Sequence, residues 1–136
     1  MEFSIKEYGK FNEAEIINIY ESVGWLNYVN NPDMLKNAFA HSLKILGAYE
    51  NDKLVGIIRV VGDGYSIVYI QDMIVLPEYQ RKGIGSALLK CVLEAYKNVY
   101  QKVLLTDNTE RTILFYKSMG FQMDTEIECR AFLKMY

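Results

Sequence analysis

The spacing of apolar residues changes several times along the chain, and each change marks an element. Residues 3–8 alternate apolar and polar, the two-residue period of a short strand. Asn12 opens a helical pattern with Ile16, Ile19, Tyr20 and Val23 on one face. Glu15, three residues after Asn12, resembles the second arm of a capping box. Gly24 suits the left-handed close of that helix. "NPD" at 31–33 predicts a second helix, with Asn31 as cap and Pro32 in the first turn, ending near His41. "KILGAYE" (44–50) and "KLVGIIRVVG" (53–62) then flank Asn51-Asp52, a hairpin signal. "GDG" at 62–64 turns the chain into "YSIVYIQDMIVLP" (65–77), a long strand that Pro77 ends. From Gly83 the period becomes helical again, with Ile84, Ala87, Leu88, Cys91, Val92, Ala95 and Val99 on one face. "KVLLT" (102–106) reads as a short buried strand, and 110–118 as a helix stopped by Gly120. The end, "FQMDTEIECRAFLKMY", reads as two more strands.

The order is β-α-α-β-β-β-α-β-α-β-β. Hairpins followed by strand-helix-strand units imply an α+β fold, a mixed and mostly antiparallel sheet flanked by helices. No linker, repeat or low-complexity stretch interrupts residues 1–136, so one domain is expected. The composition is 51% hydrophobic and 24% charged, with a net charge of -2, which speaks against a nucleic-acid binder. Cys91 and Cys129 do not read as a disulfide framework, and buried free thiols in a reducing compartment are expected. With His41 as the sole histidine, no metal site is expected. No apolar run approaches the roughly 20 residues of a membrane helix, and the N-terminus lacks a signal-peptide pattern. A cytoplasmic protein is the expectation, with no membrane partner.

"PEYQRKGIGSALLK" (77–90) puts a basic pair, two glycines and a helix start in one place. The first amides of a helix have no internal partner and carry partial positive charge, which favours an anion. Gly83 and Gly85 let a phosphate approach the backbone, and Arg81 and Lys82 add charge. A P-loop is excluded because neither glycine of this segment is followed by lysine; the dinucleotide fingerprint is excluded because Leu88 stands where its third glycine belongs. The pattern that fits is Q-x-x-G-x-G, at Gln80, Gly83 and Gly85.

That pattern resembles the acyl-CoA signature of the GNAT superfamily of N-acyltransferases. "MIVLPEYQRKGIGSALL" is similar to the family's strand-loop-helix segment along its whole length, and "NTERTILFYKSMGF" (108–121) resembles its second recognisable segment. A wider resemblance, through "SVGW", Ser42, "LVGIIRVVGDG" and "IQDMIVLPEYQRKGIG", points to the branch of plant and cyanobacterial serotonin or arylalkylamine N-acetyltransferases and uncharacterised bacterial relatives. The resemblance implies acetyl-CoA as co-substrate, a sheet splayed at the cofactor site, and direct transfer to a primary amine, with a small molecule expected. A peptide acetyltransferase and a non-catalytic acyl-CoA-binding module stay open as alternatives. A homodimer through the last strand is compatible with the resemblance.

Residue by residue, the resemblance puts the CoA pyrophosphate on the amides of Gln80, Arg81, Lys82, Gly83, Ile84, Gly85 and Ser86. It puts the pantetheine arm on the backbone of Met73, Ile74 and Val75, with Asn108 as a further contact. The amide near Ile74 is the candidate donor to the developing oxyanion. Tyr116 stands where the family has its general acid, which would protonate the leaving thiolate; the plainer reading of Tyr116 is a packed helix aromatic. Gln71 and Asp72, adjacent polar residues, are the odd feature of a run that otherwise looks buried, and the acid of the pair, Asp72, is the candidate. It either lines a polar cavity, where it would bind the ammonium or relay its proton, or is held by a partner such as Arg59. Asp107 is the second acid candidate, against a plain turn role in "TDNTE". Trp25 and Tyr28 are candidates for an aromatic wall of the acceptor site, or simply cover core.

Overall fold

The structure is a computed structural model and describes residues 2–135. Its chain falls into two compact units that divide after Leu104.

The first unit holds a five-stranded sheet in the order β1-β2-β3-β4-β5. β1 is Ser4–Glu7, β2 Lys44–Glu50, β3 Lys53–Val61, β4 Ile67–Val75 and β5 Gln101–Leu104. β1 through β4 pair antiparallel, and β5 joins β4 in parallel. The β2–β3 hairpin turns at Asn51, in the left-handed region at φ 54°, which asparagine tolerates. The β3–β4 turn is built on Asp63, whose carboxylate accepts from the amides of Tyr65, Ser66 and Ile67.

Helix α1 (Glu13–Glu21) starts at Asn12, whose side chain accepts from the Glu15 amide at 3.1 Å. The return arm of a capping box is absent: the Tyr8 hydroxyl accepts from the Asn12 amide instead and donates to Glu15. A short helix α2 (Leu26–Val29), not foreseen in the pattern, precedes α3 (Pro32–Ala40). Helix α4 (Ile84–Ala95) follows β4 through a turn of 3-10 helix at Pro77–Tyr79.

Strand register assigns the two faces of the sheet. Cross-strand partners share a face, so Arg59 lies with Asp72 and Ile57 with Ile74 on one side. Ile58 lies with Met73, and Gly56 with Val75, on the other. α1 and α3 cover the first face through Tyr20 and Phe39, and α4 covers the second through Ile84 and Leu88. A Cβ on Gly56 would meet Ile84 Cγ2 at 3.0 Å and Leu88 Cδ1 at 3.4 Å, so the missing side chain sets how closely α4 approaches β3.

Some expectations do not survive in this unit. Cys91 is exposed, as is Cys129 in the second unit, so neither is a buried thiol. On α4 the buried positions are Ile84, Leu88, Leu89 and Val92, which turns the buried face away from Cys91. β5 is only half-buried, an edge strand rather than a buried one.

The second unit carries α5 (Glu110–Ser118), capped by the Thr109 hydroxyl on the Thr112 amide at 3.3 Å. The two final strands are absent among the described residues. Asp124 explains why. Its backbone oxygen accepts from Ile127 and Cys129, and its carboxylate accepts from the Ala131 amide. Glu128 takes φ 57°. A 3-10 turn at Asp124–Glu126 thus uses amides that a ladder would need. Phe132, Leu133 and Met135 are left exposed.

Candidate active site

β4 forks from its neighbour. It pairs with β3 as far as Val75, but its pairing with β5 ends at Ile70 against Leu104. At the same place the β3–β4 register slips, from Arg59 opposite Asp72 to Val60 opposite Ile70, leaving Gln71 as an extra residue. Beyond it, β4 has a sheet neighbour on one edge only among the described strands. The Leu76 amide donates to Val55, on the β3 side. Amides alternate between the two edges, so Ile74 also donates toward β3, while Met73 and Val75 present theirs to the open edge. The Ile74 amide is thus turned into the sheet, and of the amides near it those of Met73 and Val75 face the open edge.

On the α4 face lies the glycine corner. Gly83, at φ 84°, is the N-cap of α4 and supplies no side-chain cap, and Arg81 sits at φ 63°. A Cβ on Gly83 would meet nothing within 4 Å, so the ground in front of the helix is open. The first intrahelical bond is from the Ala87 amide to the Gly83 oxygen. Gln80 donates its side-chain amide to the Val75 oxygen at 3.0 Å, tying the loop to the strand. Lys82 lies over the Tyr79 ring at 5.5 Å. Gly85 faces the side chains of Met73 and Val75, at 3.6 and 3.8 Å from a modest Cβ. Bare backbone, a helix start and two exposed cations suit a diphosphate, so the corner fits the group expected there.

On the opposite face the site is made of side chains. Asp72 is 2% exposed and Arg59 4%. Arg59 Nε donates to Asp72 Oδ2 at 2.8 Å, and the Tyr20 hydroxyl donates to the same oxygen at 2.6 Å. Arg59 also reaches the Ser42 hydroxyl and lies against the Phe39 ring. Of the two readings of Asp72, the structure realises the held one. Burial raises the Tyr20 pKa, and the charge of Asp72 raises it further. Burial works to lower that of Arg59, but Asp72 and Tyr20 outweigh it. The Tyr20 ring touches Trp25 and Tyr28 at 5.9 and 5.1 Å between centroids. Trp25 is 37% exposed, so the pair covers Tyr20 on one side and meets solvent on the other. Gln71, exposed, donates to the Tyr28 hydroxyl at 3.1 Å. From sequence, Gln71 is noted only as the polar neighbour of Asp72, and Tyr20 is not singled out for a site. An amide inside a buried strand was the available signal for the first, and no local signal existed for the second.

In the second unit, Tyr116 is half-buried between Phe115 and Phe121. Burial raises its pKa and Asp107 adds to the rise, so it holds its proton at neutral pH. Phe115 is half-buried as well. Asp107 accepts from the hydroxyls of Thr106 and Thr112. Burial would raise its pKa, but its own amide and the neighbouring threonine hydroxyls lower it on balance. It behaves as the turn residue of "TDNTE". Asn108 is exposed.

Residues 41–123 match the model of the acetyltransferase (GNAT) domain. The chain belongs to the GNAT family. A GNAT-family acetyltransferase from Streptococcus pneumoniae TIGR4 is 41% identical and superposes with a TM-score of 0.90, over 99% of this chain and 98% of that one. An uncharacterised ycf52-like N-acetyltransferase from Prochlorococcus marinus is 30% identical across 81% of this chain. The chain spans 62% of that relative's length. A spermine/spermidine N(1)-acetyltransferase from Bacillus subtilis is 25% identical across 94% of this GNAT chain and 93% of its own. Among the described residues, no group of three or more His, Cys, Asp or Glu could hold a metal, and no helix is long and apolar enough to cross a membrane.

Proposed function

We propose that this GNAT protein transfers acetyl from acetyl-CoA directly to the primary amine of a small molecule. One observation carries the reading: β4 loses β5 at Ile70, with a backbone-built anion corner on one face of the strand and an aromatic, polar surface on the other. Acetyl-CoA supplies the acyl group already activated as a thioester. The loop and helix start at 80–86, with Arg81 and Lys82, hold its diphosphate. The open edge of β4 orders the arm through Met73 and Val75, and the outward Met73 amide donates to the carbonyl oxygen as it gains charge. The acceptor amine comes from the opposite face, past Trp25 and Tyr28. Tyr116, which keeps its proton, donates to the leaving sulfur. Asp72 keeps the site in shape and does not act as base, because it is buried and ion-paired with Arg59.

The two units work as one domain, a reading supported by a family match that runs across their division at Leu104. The amine class draws support from the polyamine-acetylating relative.

Mixing the protein with acetyl-CoA and a panel of aromatic ethylamines, polyamines and short peptides tests the reading by thiol release. Turnover on a small amine is expected. Turnover on peptides alone makes it a peptide acetyltransferase, and CoA binding without turnover makes it a binding module. Tyr116→Phe should lower kcat about 100-fold, the lower end of general-acid effects, and leave CoA affinity unchanged. Unaltered kcat would remove the acid role.

A further inference from the structure

We infer that Gln71 is the residue that receives the acceptor's ammonium group, through its amide carbonyl. The inference rests on the transfer reading above and deepens it.

Three features lead there. Gln71 is the extra residue of the β3–β4 register slip, and it directly follows Ile70, where β5 pairing stops. A bulge residue is free of the ladder and is a common way to re-aim a side chain next to a reaction centre. Next, its Nε2 is occupied by the Tyr28 hydroxyl at 3.1 Å, which fixes the amide and leaves Oε1 as an outward acceptor. Last, the adjacent carboxylate is already neutralised: Asp72 Oδ2 takes bonds from Arg59 and Tyr20 and lies buried. A cation arriving beside Trp25 and Tyr28 therefore meets ring faces and a neutral carbonyl, not a free anion. The ionisable groups around Gln71 are Asp72, Arg59, Tyr20, Tyr28 and Tyr69, with the Tyr69 pKa raised by burial and then by Tyr28 and Asp72.

A neutral carbonyl also suits the chemistry. An amine must shed a proton, here to solvent water, before it attacks. A carboxylate at this position would hold the ammonium more tightly and make that loss harder. Glutamine orients the cation while raising its pKa less than a carboxylate would. Tyr28 is a positioning residue, since it acts through Gln71.

The test uses Gln71→Leu and Gln71→Glu in the full chain, with phenethylamine and spermidine as probes. Gln71→Leu should raise the KM of both amines at least tenfold while CoA affinity and Tm stay as in the wild type. Gln71→Glu should lower KM, lower kcat, and move the pH-rate profile toward alkaline pH. A merely structural role would not produce that opposed split. Binding is read separately: Trp25 is the single tryptophan, so its emission reports amine titration without turnover. Unchanged KM and unchanged Trp25 titration in Gln71→Leu, or an unmoved pH profile in Gln71→Glu, would overturn the inference while the wild type stays active. A wild type that releases no thiol with either amine would overturn the transfer reading, and this inference with it.

Discussion

The two faces of β4 are made of different materials. The α4 face offers backbone: glycines, a helix start and an open strand edge, with side chains pulled back. The α1 face offers side chains: Tyr20, Tyr28, Arg59, Gln71 and Asp72, joined by hydrogen bonds across 13 to 52 residues of sequence. A backbone site has the same donors whatever residues surround it, so it serves a constant ligand such as a diphosphate. A side-chain site changes with each substitution, so it serves the partner that varies. On the proposed function, this division lets one fold keep a cofactor and change its acceptor.

The sharpest way to break the comparison is on the side-chain face. Asp72→Ala leaves Arg59 as a buried cation without its counter-ion and should cost about 3–5 kcal/mol. Urea unfolding measures it, and a loss under about 1 kcal/mol would mean the network does not hold the face together. On the backbone face, Gly83→Trp should fill the open ground before α4 and weaken CoA binding about 100-fold, or ~2.7 kcal/mol. Some strain is expected as well, because Gly83 is left-handed. Normal CoA affinity in that variant would remove the phosphate corner from the account.

Smaller effects separate the faces by pH and salt. Tyr20→Phe should cost about 1.5–3 kcal/mol, the range for a hydrogen bond to a charged group. It should also flatten alkaline unfolding. Tyr20 is raised in the folded protein, so above about pH 10 the unfolded chain has lost a proton that the folded chain keeps. Stability is then full below that pH and falls as pH rises. A wild-type profile that stays flat through pH 11 would contradict the burial of that hydroxyl. Raising salt from 0.05 to 0.5 M should weaken CoA binding about threefold to tenfold, since Arg81 and Lys82 are exposed. The Arg59–Asp72 pair, shielded from solvent, should not respond.

The same division governs what could be read from sequence. The glycine corner is local: Gln80, Gly83 and Gly85 lie within one turn and announce themselves by spacing. Strand and helix periods gave β1 through β5, α1 and α3 through α5 to within a few residues. The side-chain face is not local. Tyr20 and Asp72 are 52 residues apart, and only register and the docking of α1 bring them together. Sequence left Asp72 between two readings for that reason. The slip at Gln71 was invisible because an extra residue does not disturb an apolar run. The last two strands failed differently: "EIECRAFLKMY" has strand-forming residues, yet Asp124 captures amides of 127–131 in a turn. A propensity scan weighs side chains and does not see that competition.

Gly56 sits under the helix that bears the anion corner, on a strand that no ligand need touch. Even one methyl group there would demand that Ile84 or Leu88 yield by a few tenths of an ångström. On the proposed reading of the corner, the clearance between helix and sheet would be a remote adjustment screw for cofactor grip. Selection or design can turn it from the protein's interior while every residue at the mouth stays as it is.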